Sequence, residues 1–184
     1  MCYNKKKSVR RYRMNTLAYI LLCVLLSKPR SGYELKQLIT IFWEAHHSQI
    51  YTTLAKLDQK GYITVLEIEE HSQKKIYTLT DEGRSLVEEW IKEETPAPTQ
   101  KDEFLAKIYA FSTLDKTTAT GLLFTREQQL NKIMQKNQVK LVDLSIDKRE
   151  EFGRYVVIQR RILLCQQELD WCQQVREMMQ TFFD

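Results

Sequence analysis

The stretch from Ser31 to Asp81 constrains the fold of this 184-residue chain more than any other segment. Two segments with helical spacing of apolar residues come first, and two short runs rich in β-branched and aromatic residues follow them. Gly61 stands between the second helical segment and the first strand-like run, where glycine can adopt the left-handed conformation that ends a helix. The order of elements therefore predicts two helices followed by a β-hairpin.

The second of these helical segments, about Ser48 to Lys60, has one apolar face and one polar face. Ile50, Leu54 and Leu57 recur at helical spacing and predict the buried face. The opposite face carries donors, acceptors and a cation but no acid: Ser48, Gln49, Thr52, Lys56 and Gln59, with Tyr51 at its flank. Such a face is typical of any solvated helix, and it also has the side chains that read base edges in DNA.

The two strand-like runs, about Tyr62–Glu69 and Lys75–Thr80, flank the polar tip Glu70–Lys74. Helix, helix and hairpin in this order predict a winged helix-turn-helix, a module that places one helix in the major groove of DNA. Lys74 and Lys75 lie where a wing meets phosphates or the minor groove. The acids close to them oppose such a contact: Glu67, Glu69 and Glu70.

A proline-rich stretch, TPAPT at residues 95–99, marks a domain boundary. Beyond it the chain has no proline, and its apolar residues recur near helical periods. They predict three helices, about Lys101–Ser112, Lys116–Leu144 and Lys148–Phe183. The fold class we expect is mainly α with a small β-wing. The expected domains are a basic N-terminal extension (1–13), a winged helix-turn-helix domain (14–94), a linker (95–100) and a helical C-terminal domain (101–184).

The net charge of +4 is unevenly distributed along the chain. The first 13 residues contain no acid and six cations: Lys5, Lys6, Lys7, Arg10, Arg11 and Arg13. Since the whole chain carries +4, the residues after Arg13 carry a net charge of −2. Global charge is therefore poor evidence for nucleic-acid binding, and any DNA-binding surface must be a local patch that the basic extension can assist.

The basic residues followed by LAYILLCVLL (Leu17–Leu26) resemble the start of a secretory signal. No cleavage site with small residues follows, since Lys28, Pro29 and Arg30 come next, and about ten apolar residues are too few to span a bilayer. We therefore expect a cytoplasmic protein whose apolar run is a buried helix. A secreted or membrane-anchored helical protein is the alternative that this segment alone supports.

Catalytic and metal-binding motifs are absent from the sequence. The sequence has four cysteines: Cys2, Cys23, Cys165 and Cys172. They form no CxxC pair and combine with no histidine at zinc-ligand spacing, so we expect them to act as small buried apolar side chains. There is no G-x-S-x-G motif, no glycine-rich phosphate loop and no H-E-x-x-H motif. We expect no enzyme, no cofactor and no metal site.

Three segments resemble the PadR family of transcriptional regulators: GYELKQ, FWEAHHSQIYTTLAKLDQKGYI and KKIYTLTDEGRSLVEEW. KDEFLAKIYAF, which follows Pro98, is similar to the start of the C-terminal domain in the phenolic-acid-responsive members. The sequence predicts a second helix at about Gly32 to Trp43, and compared with the family this segment is about four residues short, roughly one helical turn. Family members usually begin near Met14, so residues 1–13 are either a genuine basic arm or the product of an upstream start codon.

The resemblance implies a homodimeric repressor that binds a palindromic double-stranded operator. The C-terminal helices then serve dimerisation, with Leu163 and Trp171 of the last helix at the seam, although a bundle that packs only on itself fits the pattern as well. The residues expected to contact DNA are Ser48, Gln49, Tyr51, Thr52, Lys56, Lys74 and Lys75. The alternative function is a winged-helix module that binds proteins and not DNA, which the short second helix and the acidic wing favour.

The resemblance also implies an effector, a small aromatic carboxylate held between the winged and C-terminal domains. Aromatic rings with a cation to meet the carboxylate would suit such a ligand. The residues expected to line the site are Tyr19, Phe104, Lys107, Tyr109, Phe111, Arg154, Tyr155, Arg161 and Trp171. Aromatic residues at helical spacing more often belong to a core than to a pocket.

Overall fold

The computed structural model of the protein describes residues 14–42, 45–68, 74–98 and 101–183, and the side chain of Lys74 lies outside this description. The basic extension, Trp43 and most of the wing tip, including His71, are therefore outside the described residues. The chain divides into two compact units, Met1–Thr95 and Pro96–Asp184.

The N-terminal unit is the winged helix-turn-helix that the sequence predicted. Its three-stranded antiparallel sheet has the order β1 (Arg30–Ser31), β3 (Lys74–Leu79), β2 (Ile63–Ile68). Arg30 lies opposite Tyr77 in one strand pair, and Glu67 lies opposite Lys75 in the other. The short strand β1 was not predicted. The described elements of the N-terminal unit are α1 (Thr16–Leu25), β1 (Arg30–Ser31), α2 (Gly32–Ile39), α3 (His47–Gln59), β2 (Ile63–Ile68), β3 (Lys74–Leu79) and α4 (Asp81–Trp90).

Polar side chains fix where these helices begin. The Glu34 carboxylate accepts a bond from the Ser31 backbone N–H at 2.8 Å, and the Ser31 hydroxyl oxygen accepts from the Glu34 N–H at 3.3 Å, which makes a capping box at the start of α2. The Thr80 hydroxyl caps α4 by accepting from the Gly83 N–H at 3.1 Å, and it donates to the Gly61 carbonyl at 2.7 Å. Thr80 thus also ties α4 to the turn that ends α3.

Helix α1 lies at the centre of the N-terminal core. The apolar run that resembles a secretory signal is this helix, and most of it is buried: Leu17, Ala18, Tyr19, Ile20, Leu21, Leu22 and Leu25. Each fully buried leucine contributes roughly 1.5–3 kcal/mol, so the burial of this helix makes a large favourable contribution to the stability of the unit. Among the described residues no helix has the length and apolar character needed to cross a membrane.

Helix α2 ends at Ile39, about one turn before the Trp43 end that the sequence predicted. The Thr40 hydroxyl donates to the Gln37 carbonyl at 2.6 Å, and a turn follows at residues 41–42. Ile41 is buried, so the chain bends back towards the core where the helix would otherwise continue. The prediction of a longer helix failed because spacing along the chain does not show which apolar residue the core will accept.

The C-terminal unit is built on a hairpin of two long helices. Helix α5 (Glu103–Tyr109) and a 3₁₀ turn (Phe111–Thr113) lead into α6 (Lys116–Val142), and residues 143–148 connect α6 to α7 (Arg149–Phe183). Buried residues at seven-residue intervals form the seam between α6 and α7, as in coiled coils. They are Leu123, Leu130 and Asn137 from α6, and Ile158, Cys165, Cys172 and Met179 from α7.

The ion pairs of Arg126, a residue of α6, hold the start of α5 and helix α7 to α6. Arg126 bonds to Glu168 through Nε at 2.6 Å and to Asp102, the residue that caps α5, through a terminal nitrogen at 2.6 Å. Its guanidinium lies 5.0 Å from the centre of the Phe104 ring. Cys165 and Cys172 are free thiols in the seam, and burial raises the pKa of both. They act as small apolar groups, as the sequence indicated.

Gly83 is packed so closely that it generates a testable prediction. A Cβ at this position would lie 2.1 Å from the Tyr62 carbonyl oxygen, a backbone atom that cannot rotate away. Gly83→Ala should therefore lower the free energy of unfolding by about 1–3 kcal/mol, measured by urea denaturation. Gly121→Ala in α6 is the control, because a Cβ there meets nothing within 4 Å among the described residues. It should stabilise the protein by up to about 1 kcal/mol. Equal stability of the two variants would contradict the packing of α4 against Tyr62.

Candidate nucleic-acid interface

The buried side of α3 determines which of its residues face outwards. Ile50, Leu54 and Leu57 are fully buried in the core, as the sequence predicted. Four of the predicted DNA contacts lie on the opposite side and are exposed: Ser48, Gln49, Thr52 and Lys56. They occupy an arc of roughly 100° around the helix axis. We call these four residues the outward face of α3, and it contains donors, acceptors and one cation.

Gln49 has a second role at the beginning of α3. Its amide oxygen accepts a bond from the His46 backbone N–H at 3.3 Å, so the side chain helps to cap the helix. The backbone carbonyl of Gln49 also accepts a hydrogen bond from the buried Thr53 hydroxyl at 2.7 Å. The side-chain amide group is thereby held at the first turn of the outward face, where its NH₂ group still has hydrogens to donate.

Tyr51 was also predicted to contact DNA, and it lies at the flank of the outward face. Its ring is half-buried and stacks on His47 with 4.3 Å between ring centres. Its hydroxyl oxygen lies only 2.5 Å from where a Cβ of Gly32 would be, so a larger residue at position 32 would displace the ring. Tyr51 therefore braces α3 against the start of α2. Gly32 is the sequence feature that could have indicated this contact, but only the fold shows that Gly32 and Tyr51 meet.

The hairpin presents its cations less freely than the sequence indicated. The Lys75 ammonium forms an ion pair with Glu67 directly across the hairpin, with 2.7 Å between Nζ and Oε1. The hydrogen bond from Lys75 to Glu67 raises the pKa of Lys75, so the ammonium stays charged but its charge is balanced within the protein. Lys74 belongs to β3, and its side chain is among the atoms that the structure does not describe.

The N-terminus of α1 lies beside the outward face of α3, which the sequence did not predict. Asn15 caps α1 by accepting a bond from the Ala18 N–H at 2.9 Å. A cleft of about 470 Å³ brings α1 and α3 together, and its lining contains one cation and no acid: Asn15, Thr16, Leu17, Gln49, Thr52, Thr53 and Lys56. The first turn of a helix carries a partial positive charge, which favours anions such as phosphate.

Tyr19 is the one predicted effector residue in the N-terminal unit. It is buried and stacks face to face on Trp90, with 4.7 Å between ring centres and 6° between ring planes. The two rings border a cleft of about 610 Å³ with four carboxylates and one cation. The remaining lining residues are Lys60, Tyr62, Asp81, Glu82, Ser85, Leu86, Glu89 and Glu93.

In the C-terminal unit the predicted aromatic residues mostly belong to the core. Phe104 meets Trp171 edge to face with 6.2 Å between ring centres. Phe111 packs against Phe182 at 5.8 Å, while Tyr109 is 94% exposed. These contacts make Phe104, Phe111 and Trp171 part of the packing that holds the start of the unit to α7.

Two of the predicted cations, Arg154 and Arg161, lie away from those rings. Lys107 is paired with Glu103 at 2.7 Å within α5. Arg154, Tyr155 and Arg161 are half-buried residues of α7, and Arg154 and Arg161 lie roughly 25 Å and 15 Å along that helix from Trp171 at 1.5 Å per residue. Within this unit, then, the structure does not bring the predicted rings and cations into one pocket.

Both units of the chain are similar to known proteins. The sequence model of the transcriptional regulator PadR-like family matches residues 21–89, and that of the virulence activator alpha C-term family matches residues 100–180. The negative transcriptional regulator PadR of Bacillus subtilis (strain 168) is 33% identical over 186 residues, covering 90% of this chain and 98% of that protein.

Solved structures of that bacterial protein have the same fold. Bacillus subtilis PadR in complex with operator DNA gives a TM-score of 0.75 at 30% identity, covering 89% of this chain and 99% of that one. Its complex with p-coumaric acid gives a TM-score of 0.70 at 31% identity, covering 90% and 99%.

Proposed function

The chain belongs to the PadR-like family of transcriptional regulators, and on this basis we propose that it is a cytoplasmic homodimeric repressor of a palindromic operator. The observation that carries the proposal is the outward face of α3, which is exposed, continuous and free of acids. Members of this family regulate transcription, so we assign the protein no enzymatic reaction.

Helix α3 reads the DNA in this proposal. An amide such as that of Gln49 can bond adenine in the major groove, and Lys56 can bond guanine or a phosphate. Thr52 lies between them and can donate or accept. One winged domain contacts only a few base pairs. Two copies related by a two-fold axis read two half-sites whose centres are about 34–36 Å apart or a multiple of that distance.

The exposed side of α7 supports dimerisation through the C-terminal unit. Phe152, Val156, Leu163 and Met178 are 49%, 37%, 58% and 61% exposed, respectively. At 100° per residue they lie on the side of α7 opposite the seam with α6. An apolar stripe of this length is typical of a surface that a second copy covers. Trp171, expected at the same seam, instead packs against Phe104.

We also propose that a small aromatic carboxylate relieves repression. The crystal structure of Bacillus subtilis PadR with p-coumaric acid supports this ligand class. In the present chain the Tyr19–Trp90 stack offers an aromatic surface to the cleft, and Lys60 is the one cation in its lining. Because the cleft also holds four carboxylates, the ligand's carboxylate should face Lys60. Relief requires that the ligand bind more tightly to the state that does not fit both half-sites.

The DNA-reading proposal is tested first by selecting bound duplexes from a random pool and then by substituting Gln49. Gln49→Glu retains an acceptor for the His46 N–H, so α3 should form, but the new carboxylate cannot donate to a base. We expect a loss of about 1–3 kcal/mol on the selected operator beyond the loss on random DNA, measured by fluorescence anisotropy. Gln128→Glu in α6 carries the same charge change and should leave binding unaltered.

Two results would contradict this proposal in different ways. If the random pool yields no enriched sequence, a winged-helix module that binds proteins replaces the repressor, consistent with the paired wing lysine. If a sequence is enriched but Gln49→Glu leaves the preference intact, an element other than α3 reads the operator.

Dimerisation is tested by placing charge on the free side of α7. Leu163→Glu with Met178→Glu should give monomers in sedimentation velocity, because burying unpaired carboxylates costs several kcal/mol. Gln135→Glu with Gln180→Glu adds the same charge at exposed positions outside the stripe and should remain dimeric. A folded Leu163→Glu/Met178→Glu variant with the dimer mass would show that the subunits meet elsewhere.

The effector is tested by release of the labelled operator. p-Coumaric acid should release the wild-type protein at a lower concentration than its methyl ester, which has the same ring but no negative charge. Lys60→Gln should abolish the difference between acid and ester if Lys60 faces the carboxylate. Absence of both release and binding heat for a panel of hydroxycinnamates would exclude this class of ligand.

A further inference from the structure

Two polar atoms in the α6–α7 hairpin are buried without a hydrogen-bond partner among the described residues: Oδ1 of Asn137 and Nε of Arg154. The Asn137 side chain is 4% exposed, and its amide nitrogen donates to the Ile133 carbonyl at 2.7 Å. Buried polar atoms in folded proteins nearly always have a partner, because leaving one unbonded costs the hydrogen bonds that water would supply. The packing of the hairpin itself therefore does not account for these two atoms.

Both atoms lie at the end of the hairpin nearest to the α6–α7 connection. Asn137 is the last buried seam residue of α6, and Ile158 is the first buried seam residue of α7. Arg154 is four residues before Ile158 and Arg161 is three residues after it, so both lie one turn from Ile158 on the same side of α7. Because α6 and α7 run antiparallel across a short connection, this side of α7 faces the part of α6 that carries Asn137.

A third cation, Lys140, comes from α6, one turn after Asn137. The pKa of Lys140 is lowered, first by burial and then by the charges of Arg161, Arg154 and Lys136. Like charges have this effect only when they are close together. Cations from both helices therefore gather around one buried amide. We call Asn137, Lys140, Arg154 and Arg161 the hairpin cluster.

The acid nearest to Arg154 along α7 is bonded elsewhere. Glu151 lies one turn before Arg154, and its carboxylate accepts a hydrogen bond from the Ser145 backbone N–H at 2.7 Å. It also pairs with Lys148 at 3.6 Å. Glu151 thus supplies no partner for the Nε of Arg154, which is left to donate to another anion.

We propose that the hairpin cluster binds a small phosphate anion and prefers inorganic phosphate to phosphate esters. Arginine and lysine donate strong hydrogen bonds to phosphate oxygens, and the Nε of Arg154 is placed to do so. The oxygen of Asn137 only accepts hydrogen bonds, so it favours an anion that carries an O–H group. Doubly charged inorganic phosphate keeps one O–H group, whereas sulfate and a fully ionised phosphate monoester have none.

The surroundings of the hairpin cluster suit a small ion. Lys140, Arg154 and Arg161 are half-buried, so their charges are less accessible to the backbone of a duplex than to a single anion. Trp171 lies roughly 15–25 Å along α7 from the two arginines, so its ring is no part of the site. This site is separate from the one proposed for the aromatic carboxylate, and it does not depend on DNA binding.

The ligand class is tested by calorimetry on the full chain at about pH 8, where a phosphate monoester has lost both protons. Inorganic phosphate, methyl phosphate and sulfate are compared, each against potassium chloride at equal ionic strength. We expect one saturable site per chain for inorganic phosphate. Its affinity should be about tenfold higher than that of the other two anions, the effect of one hydrogen bond to Asn137.

The donor is tested by a matched pair of substitutions on α7. Arg154→Gln should weaken the binding of inorganic phosphate about tenfold or more, because it removes both the charge and the Nε donor. Arg160→Gln makes the same change in charge at an exposed neighbouring position and should retain the wild-type affinity.

Asn137→Asp places a carboxylate of nearly the same size inside the hairpin cluster. If the cations are arranged for an anion, this variant should have a higher Tm than the wild type in the absence of phosphate, because the carboxylate takes the place of the ligand. Inorganic phosphate should raise the Tm of the wild type and leave that of the variant unchanged, since the site then repels a second anion.

Three results would overturn the proposal. One is that inorganic phosphate produces no heat and no rise in Tm beyond those of potassium chloride at equal ionic strength. Another is equal affinity for phosphate and sulfate, which would remove the role of Asn137. The third is a lower Tm for Asn137→Asp together with unchanged phosphate binding. None of these measurements uses DNA, so each of them leaves the proposed repressor function intact.

Discussion

The burial of α1 is the constraint on which the rest of the N-terminal unit depends. The helix is apolar on almost every side, so α2, α3, α4 and β3 all pack around it. Because Ile50 and Leu54 must reach this core, α3 can present only one side to solvent. The outward face, with Gln49 and Lys56 on it, is a consequence of how the core closes.

The two units differ in how completely they bury their apolar residues. The N-terminal unit encloses its apolar residues and exposes a polar helix face. The α6–α7 hairpin buries one seam but leaves a second apolar stripe on α7, including Leu163, exposed to solvent. Two helices of this length cannot enclose all of their apolar surface, which supports our proposal that a second copy of the chain covers the stripe. A dimer in turn doubles the number of base contacts that the small winged domain provides.

Much of the fold and part of the candidate site could be predicted from the sequence. The winged helix-turn-helix was predicted from the spacing of apolar residues along the chain and from Gly61, which adopts a φ of 73° at the end of α3. The sequence correctly predicted that Ser48 and Thr52 are exposed, because they lie opposite Ile50 and its apolar neighbours on the same helix. The end of α2 was wrong by about a turn, since the core selects Ile41, and helical spacing alone does not show this.

The sequence by itself determined the elements, the buried face of α3 and the basic character of residues 1–13, because each depends on residues close together in the chain. Only the tertiary structure decided which distant residues meet. It paired Lys75 with Glu67, set Tyr51 against Gly32 and brought the α1 cap at Asn15 beside the outward face of α3. Such contacts depend on how helices and strands pack around α1. That packing is a property of the whole core, which no local pattern of residues encodes.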